Sequence, residues 1–524
     1  MPNFGEVRVL ADVFRAQARV GAGARAQIFG DRVTTYAELD RHASRVANGL
    51  IALGAAPQAR IGYLGKNSDL YFELLLGALK ANVVLVPVNW RLAPPEVATI
   101  LVDAEVEVLF AGRGYAPMVE AVAAEGYVAR TYISMDGACA DWLDFVAWRD
   151  AQPEADPALP IAAEDTAVQL YTSGTTGLPK GVEVTNRNWL AFLADYRAAG
   201  LGDLGPGDVV LTCMPVFHVA GTNVGLSALA FGCTNVVMED VSVPGLLALT
   251  ARHGVTVILL VPAVILALVQ HPDASRADLR SIRRLTYGAS PIAEDTVLRA
   301  KALLPGVEFW QVYGLTETNA CGTALPPAFH EGPGAKLRSC GRPHPGVELR
   351  VVDPLGETLP TGDVGEIVIR AAGVMKGYWN QPEATRAAFF DGGWFRTGDA
   401  GYFDGDGFLY IHDRIKDMII SGGENVYPAE VENALFGHPA IADAVVIGVP
   451  DERWGEAVKA IVVLKPNEQA TEEDIITFAR SRIAGYKIPK SIDFVAVLPR
   501  NPSGKLLRRE LRAPYWAGRT RQVS

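Results

Sequence analysis

The sequence predicts an α/β protein: a large N-terminal domain with mostly parallel sheets flanked by helices plus a β subdomain, and a small α+β C-terminal domain. Three observations point there. Through the first half of the chain, short apolar runs alternate with helix-like stretches, the rhythm of βαβ units whose sheet is covered on both faces. From residue 346 the apolar runs are separated by Gly- and Asp-rich turns, which fits a compact β unit. A length of 524 residues exceeds what one hydrophobic core usually organises, so at least two domains are expected.

Taken in order, residues 60–65 (RIGYLG) and 83–88 (VVLVPV) read as buried strands, with an apolar helix over 71–79 between them. Residues 106–110 give another strand before a helix over 116–124, and the Ala- and Pro-rich stretch 151–163 reads as an exposed connection. Strands follow at 166–170, 209–213, 234–238 and 257–261. The apolar stretch 255–270 is too short to span a bilayer and is broken by Pro262, so it reads as a strand followed by a helix. The β subdomain is expected from 347–352, 365–370 and 408–412. The N-terminal domain is expected over 1–412, with a boundary segment at 413–417 and the C-terminal domain over 418–524. That last domain shows a helix from Pro428, strands at 444–449 and 458–464, and a helix from Thr471.

Composition narrows the function classes. A net charge of -11 argues against nucleic acid, which needs a basic face. Five cysteines without a CxxC pair suit buried, reduced thiols better than a metal site or disulfide framework. With no secretory or lipidation signal in view, a cytoplasmic protein without integral membrane segments is expected.

The sharpest local signal is YTSGTTGLPKGV at 171–182. Gly174, Gly177 and Gly181 permit backbone angles that let successive N–H groups turn toward one anion. Thr172, Ser173, Thr175 and Thr176 add hydroxyl donors, and Lys180 adds a point charge. The Walker A spacing is absent. The loop is expected to follow a strand and to lead into a helix near Asn188.

YTSGTTGLPKGV resembles the signature of the adenylate-forming enzymes: acyl-CoA synthetases, peptide-synthetase adenylation domains and beetle luciferases. Further motifs of that family appear in order: PVFH at 215–218, YGASP at 287–291, QVYGLTET at 311–318, WFRTGD at 394–399, DRIKD at 413–417, GGENVYP at 422–428 and NPSGK at 501–505. The resemblance spans nearly the whole chain. It implies an acid–thiol ligase that joins a carboxylic acid to AMP from ATP, releases pyrophosphate, and passes the acyl group to coenzyme A. A carrier-protein thiol remains the alternative acceptor. By analogy alone, a homodimer is expected.

The resemblance also implies roles. Glu317, with Thr172, would hold Mg²⁺ on the phosphates, which Thr316, Lys180 and the loop residues would support. Tyr313 would stack on adenine against Gly288, Ala289 and Ser290, with Gln311 and Gly314 in the same motif. Asp399 would accept from the ribose hydroxyls, and Arg414 would contact ribose or phosphate. Lys505 would reach the substrate carboxylate and the α-phosphate. In the family the small C-terminal domain is mobile. It rotates about the position of Lys416, withdrawing the lysine and bringing up Gly422, Gly423 and Glu424 for thioester formation. His218 would orient the acyl chain or gate the thiol channel.

The acid is expected between His218 with its successors, Val261, residues 287–289 and Gly314. Residues 219–225 (VAGTNVG) are small and uncharged, and no Asp or Glu occurs from 212 to 231. An ammonium group would lack a partner there, so a fatty, aryl or alicyclic acid is expected, with the small residues leaving room for it. One departure stands out: many relatives have Thr-His-Arg-Asn where this chain has Asn186 in TNRN, at 185–188.

Overall fold

A computed structural model describes residues 7–517 apart from 140, 174–178, 291, 333–334, 415–416, 422–423, 452, 481 and 501–505. Two large sheets dominate. One runs, edge to edge, through Gly377–Tyr378, Pro179–Thr185, Thr166–Ser173, Val84–Val88, Arg60–Leu64, Val108–Ala111, Thr131–Ser134 and Leu143–Asp144. The other runs through Arg342–Pro343, Thr323–Leu325, Glu308–Tyr313, Arg284–Gly288, Val257–Leu260, Val209–Thr212, Thr234–Val237, Arg25–Phe29 and Arg32–Thr35. The inner strands of both pair in parallel; antiparallel strands close both ends of the second sheet and one end of the first, whose other end, Leu143–Asp144, pairs in parallel. The inner strands are buried on both faces, which is why they read as continuous apolar runs.

The largest core cluster takes residues from both sheets, among them Leu85 and Val168 from one and Val210 and Val257 from the other. Helix Asp69–Lys80 is buried along its entire length. Its Phe72 ring lies where a Cβ on Gly225 would stand, 2.1 Å away, so helix Val219–Ala230 approaches as closely as a bare backbone allows. Burying a whole helix also buries Lys80, which is neutralised by Asp40 at 2.6 Å and Asp156 at 2.9 Å. Asp156 also binds Arg15 at 2.8 Å, so the connection expected to be merely exposed in fact clamps two helices.

A third sheet is built from Val347–Val352, Gly365–Ala371, Trp394–Phe403 and Phe389–Phe390, with Leu409–Arg414 paired to Trp394–Phe403. The fourth contains only strands from residue 419 onward: Glu424–Val426, Ile419–Ser421, Gly455–Leu464, Ile441–Asp451 and Ser491–Phe494. Its own apolar cluster packs helices Pro428–Phe436 and Glu472–Arg480. The α/β class read from the sequence is the class observed. Among the described residues, no helix is long and apolar enough to cross a membrane. Cys213, Cys233, Cys321 and Cys340 are buried free thiols, and Cys139 is half-buried.

The helix expected near Asn188 is present as Asn186–Ala198, and a strand not expected from the sequence, Pro179–Thr185, stands between it and the glycine loop. Strand Thr166–Ser173 folds back antiparallel on Pro179–Thr185, with Thr172 opposite Lys180. The reason is the alternation of Val182 and Val184, both buried, in a segment of β-branched residues. Helix Asn186–Ala198 begins only after that strand, where Thr185 and Asn188 close a capping box. Its N-terminus is therefore about 20 Å of extended chain from the loop, and its dipole, which acts within a turn, contributes nothing there.

Candidate active site

The first wall of the site stands where two parallel strands end side by side. Gly288, at the end of Arg284–Gly288, lies opposite Val312 of Glu308–Tyr313. A Cβ on Gly288 would sit 2.1 Å from the Val312 carbonyl oxygen, so only glycine fits. Ala289 follows with φ +69, a left-handed conformation that costs an alanine roughly 1 kcal/mol. Ala289 is exposed and Ser290 half-buried. Behind this wall, Tyr287 Oη is 2.9 Å from His330 Nε2, and His330 Nδ1 is 3.0 Å from the Pro326 carbonyl oxygen. The carbonyl can only accept, so Nδ1 carries the proton and Nε2 accepts from tyrosine. Burial pushes the His330 pKa down to about 4, keeping it neutral.

From the neighbouring strand, Tyr313 Oη donates to Asp399 Oδ2 at 2.7 Å. Asp399 is 5% exposed, and its backbone N–H donates to Thr397 Oγ1, which itself donates to the Ile367 carbonyl oxygen. An aromatic ring and a carboxylate are thus fixed to one another from different sheets. Asp399 sits opposite Arg414 in the backbone ladder. Gln311, two residues before Tyr313 on the same face of the strand, is buried, with Nε2 donating to Cys340 Sγ at 3.7 Å. Burial raises the Cys340 thiol to about 12.

After Tyr313 the chain makes a tight turn. Gly314 approaches the Ala320 carbonyl so closely that a Cβ would lie 2.6 Å from it. Asn319 and Ala320 both have left-handed backbones, at φ 49 and 61. The short helix Thr316–Thr318 holds Thr316 and Glu317, both half-buried. Glu317 is fixed from outside the turn: its carbonyl accepts from Met375 N–H at 2.7 Å, and its Oε1 accepts from Tyr378 Oη at 3.1 Å. Lys180 Nζ lies 4.6 Å from the centre of the Tyr378 ring. Carboxylate, aromatic ring and cation therefore converge beside the hairpin that bears Thr172.

On the other side, His218 caps helix Val219–Ala230, its Nδ1 accepting from the Ala220 N–H at 3.2 Å. The small residues after it do not simply leave room. A Cβ on Gly221 would be 2.2 Å from the Pro215 carbonyl oxygen, and Gly225 is packed on Phe72. Thr222 Oγ1 donates to the Val216 carbonyl oxygen at 2.6 Å. Only Ala220 and Val224, one turn apart, stay half-exposed along this helix. Ala220 shares its supporting cluster with Leu259 and Val264, also half-exposed.

Of the residues singled out in the sequence, the structure brings Lys180 and Glu317 together through Tyr378, joins Tyr313 to Asp399, and sets Gly288, Ala289 and Ser290 on the neighbouring strand end. Lys505, Lys416, Gly422, Gly423, Gly174, Thr175, Thr176 and Gly177 lie outside the described residues. Ser173, Arg414 and Glu424 are placed by backbone pairing alone. Sequence reasoning missed Tyr378. Its signal was GVMKGYW at 373–379, but a Gly-aromatic run after a strand also reads as an ordinary turn.

Two comparisons give the class. Residues 14–379 match the AMP-binding enzyme family, and residues 430–505 match its C-terminal domain. The chain belongs to this family of adenylate-forming enzymes and is a ligase of the acid–thiol class. It is 42% identical over 496 residues to the fatty acid–[acyl-carrier-protein] ligase ScoC of Streptomyces coeruleorubidus, covering 94% of each chain. It is 39% identical over 501 residues to a feruloyl-CoA synthase of an Amycolatopsis species, covering 95% of this chain and 97% of that one. Among solved structures, a Mycobacterium tuberculosis fatty acyl CoA synthetase superposes with a TM-score of 0.77 at 35% identity, covering 98% of this chain and 99% of the other.

Proposed function

We propose that this enzyme activates an apolar carboxylic acid, fatty or aryl, as its acyl-adenylate and transfers the acyl group to coenzyme A. The observation that supports it most is the Tyr313–Asp399 hydrogen bond, which sets a flat ring beside a buried carboxylate. Adenine stacks on such a ring, and ribose hydroxyls donate to such a carboxylate. Ala289 and its neighbours form the facing wall.

In adenylation the acid's carboxylate attacks the α-phosphorus of ATP, the bond to the bridging oxygen breaks, and pyrophosphate leaves with its electron pair. Two anions must meet, so the chain has to place positive charge and donors around them. Lys180 and the hairpin hydroxyls hold the leaving phosphates, and Lys505 bridges carboxylate and α-phosphate. The donor set suits Mg²⁺ entering with ATP. Glu317 is one hard carboxylate beside Thr172's strand, and among the described residues no group of three His, Cys, Asp or Glu exists to hold a resident metal. When bound, the ion neutralises phosphate charge. Arg414, Gly422, Gly423 and Glu424 belong to the segment that exchanges places with Lys505 before thioester formation. Residues 413–417 are the hinge between domains 1–412 and 418–524, so Lys416→Pro should preserve adenylation and abolish thiol transfer.

The acyl group lies along Ala220, Val224, Leu259 and Val264, with His218 at its mouth. The uncharged stripe accounts for apolar rather than amino-acid substrates. On the C-terminal part, the exposed Trp454 has Lys490 5.8 Å from its ring centre and offers a stacking face beside a cation for a nucleotide-bearing thiol, whereas Lys487, beside the exposed Tyr486, is paired with Glu430.

The carrier-protein reading stays in play through the likeness to ScoC. AMP release should be measured with ATP and Mg²⁺ across fatty, cinnamic and benzoic acids, with coenzyme A, with a pantetheinylated carrier protein, or with neither. Acid-dependent release stimulated by coenzyme A, with an acyl-CoA of the right mass, supports the proposal. Stimulation by carrier protein alone replaces it with the second reading.

A further inference from the structure

The turn bearing Glu317 is held on a second side by the helix that lines the acyl pocket. Asn223, on helix Val219–Ala230, is 4% exposed, and its Nδ2 donates to both the carbonyl oxygen of Asn319 at 3.2 Å and its Oδ1 at 3.0 Å. Asn319 is fully buried and ends the turn in the left-handed conformation, two residues after Glu317. Its backbone N–H closes the turn on the Thr316 carbonyl oxygen at 3.0 Å. The tie is made at a cost. Asn223 Oδ1 and Asn319 Nδ2 are buried without a partner among the described residues, and unsatisfied buried polar atoms destabilise a fold. Neighbouring Thr222 shows the contrast, since its hydroxyl is satisfied by Tyr71 and the Val216 carbonyl and never reaches the turn.

A packing role alone would be served better by an apolar residue at 223. We infer that Asn223 is a positioning residue, which fixes the Glu317 turn for Mg·ATP from the helix that His218 caps and the acyl chain lines. The inference rests on the proposed role of Glu317. Met375 and Tyr378 hold that turn from the side of the large-sheet edge, and Asn223 holds it from the acyl side. Without Asn223 the turn keeps its internal bonds but loses its anchor, so the Glu317 carboxylate is no longer held where the phosphates arrive.

The test is the affinity for ATP, titrated calorimetrically with and without Mg²⁺, on the full chain. The wild type, Asn223→Leu, Asn319→Gly, Thr222→Val and Glu317→Gln are compared, with melting temperatures alongside. Asn223→Leu is chosen because leucine has similar volume, so folding is expected to survive. Asn319→Gly keeps the left-handed backbone and the carbonyl acceptor. The expected result is that Mg²⁺ tightens ATP binding to the wild type, Thr222→Val and Asn319→Gly. In Asn223→Leu and Glu317→Gln that gain should shrink by about tenfold, the scale of one or two lost hydrogen bonds. Loss in Glu317→Gln with full retention in Asn223→Leu overturns the inference and leaves the reading of Glu317 standing. Equal loss in Thr222→Val and Asn223→Leu also overturns it, since any disturbance of the helix would then suffice. Full retention in Glu317→Gln overturns the underlying reading itself.

Discussion

The two walls of the site are built on different principles. The proposed nucleotide wall is assembled from elements of separate sheets and the turn that bears Glu317, and its polar groups are tied to one another: Tyr313 to Asp399, Asp399 to Thr397, Tyr287 to His330, Glu317 to Tyr378. The proposed acyl wall centres on one face of helix Val219–Ala230, whose hydroxyl at Thr222 turns inward and whose open stripe is Ala220 and Val224, with Leu259 and Val264 beside it. On the proposed function, the first wall recognises by directed bonds and the second by shape. Changes on the first should therefore alter ATP use for every acid. Changes on the second should alter which acid is used and leave ATP alone.

The largest effect is expected at Asp399. Asp399→Ala removes the acceptor of the Tyr313 hydroxyl and, on the proposed function, that of the ribose, two charge-assisted bonds in a buried place. kcat/KM for ATP should fall roughly 10²- to 10³-fold, alike for every acid, in a pyrophosphate-release assay. A loss under about fivefold would place ribose elsewhere and dissolve the contrast. The counterpart is Val224→Phe, which fills the open stripe. Long or ring-bearing acids should lose up to about a hundredfold in kcat/KM relative to short ones, with the KM for ATP unchanged. An equal loss for all acids would mean that Val224 does not line the pocket.

This contrast also explains what the sequence made legible. The proposed nucleotide chemistry dictates residue types, so Lys180, Glu317, Tyr313 and Asp399 stood out as types in a spacing. The acyl pocket obeys no such dictation. Gly221 and Gly225 looked like room for a substrate, yet they are spent on close packing against the Pro215 carbonyl and Phe72. The hairpin closed by the phosphate loop was read as strand, loop and helix because local patterning does not say which strand Pro179–Thr185 pairs with. Tyr378 escaped because its importance comes from a contact with Glu317 across 61 residues of chain, which no local pattern encodes.

The nucleotide wall's rear support adds a pH signature. His330 is held neutral in the fold with a pKa near 4, below its usual value of about 6.5. Its contribution to stability is therefore intact above pH 6.5 and is lost as pH falls from there toward 4, where the unfolded chain takes up the proton first. Linkage sets the loss at up to about 3 kcal/mol. His344, buried and likewise pushed down to about 4, adds to the slope in the same window. His330→Gln keeps an acceptor for Tyr287 without titrating. Urea midpoints measured between pH 7 and 4.5 should show a shallower decline in this variant than in the wild type. An unchanged slope would show that this histidine does not report on the wall.

The smallest effect on activity is expected at Asn186, in the TNRN run at 185–188. Asn186 is 3% exposed and makes three bonds, none to a residue of either wall: its Oδ1 accepts from the Leu10 N–H at 2.9 Å, and its Nδ2 donates to the carbonyl oxygens of Asp165 at 3.1 Å and Ala162 at 3.4 Å. It thus joins the start of helix Leu10–Val20 to the segment that feeds the phosphate hairpin. A histidine here has the donors and acceptors for two of those bonds at most. Asn186→His should cost about 1–2 kcal/mol of stability, read as a lower urea midpoint. The KM values for ATP and acid should stay within about twofold, because neither wall feels the change. A charge-dependent role would appear instead as a gain or loss of activity that tracks protonation near pH 6.5, and that outcome would move Asn186 from the scaffold into the site.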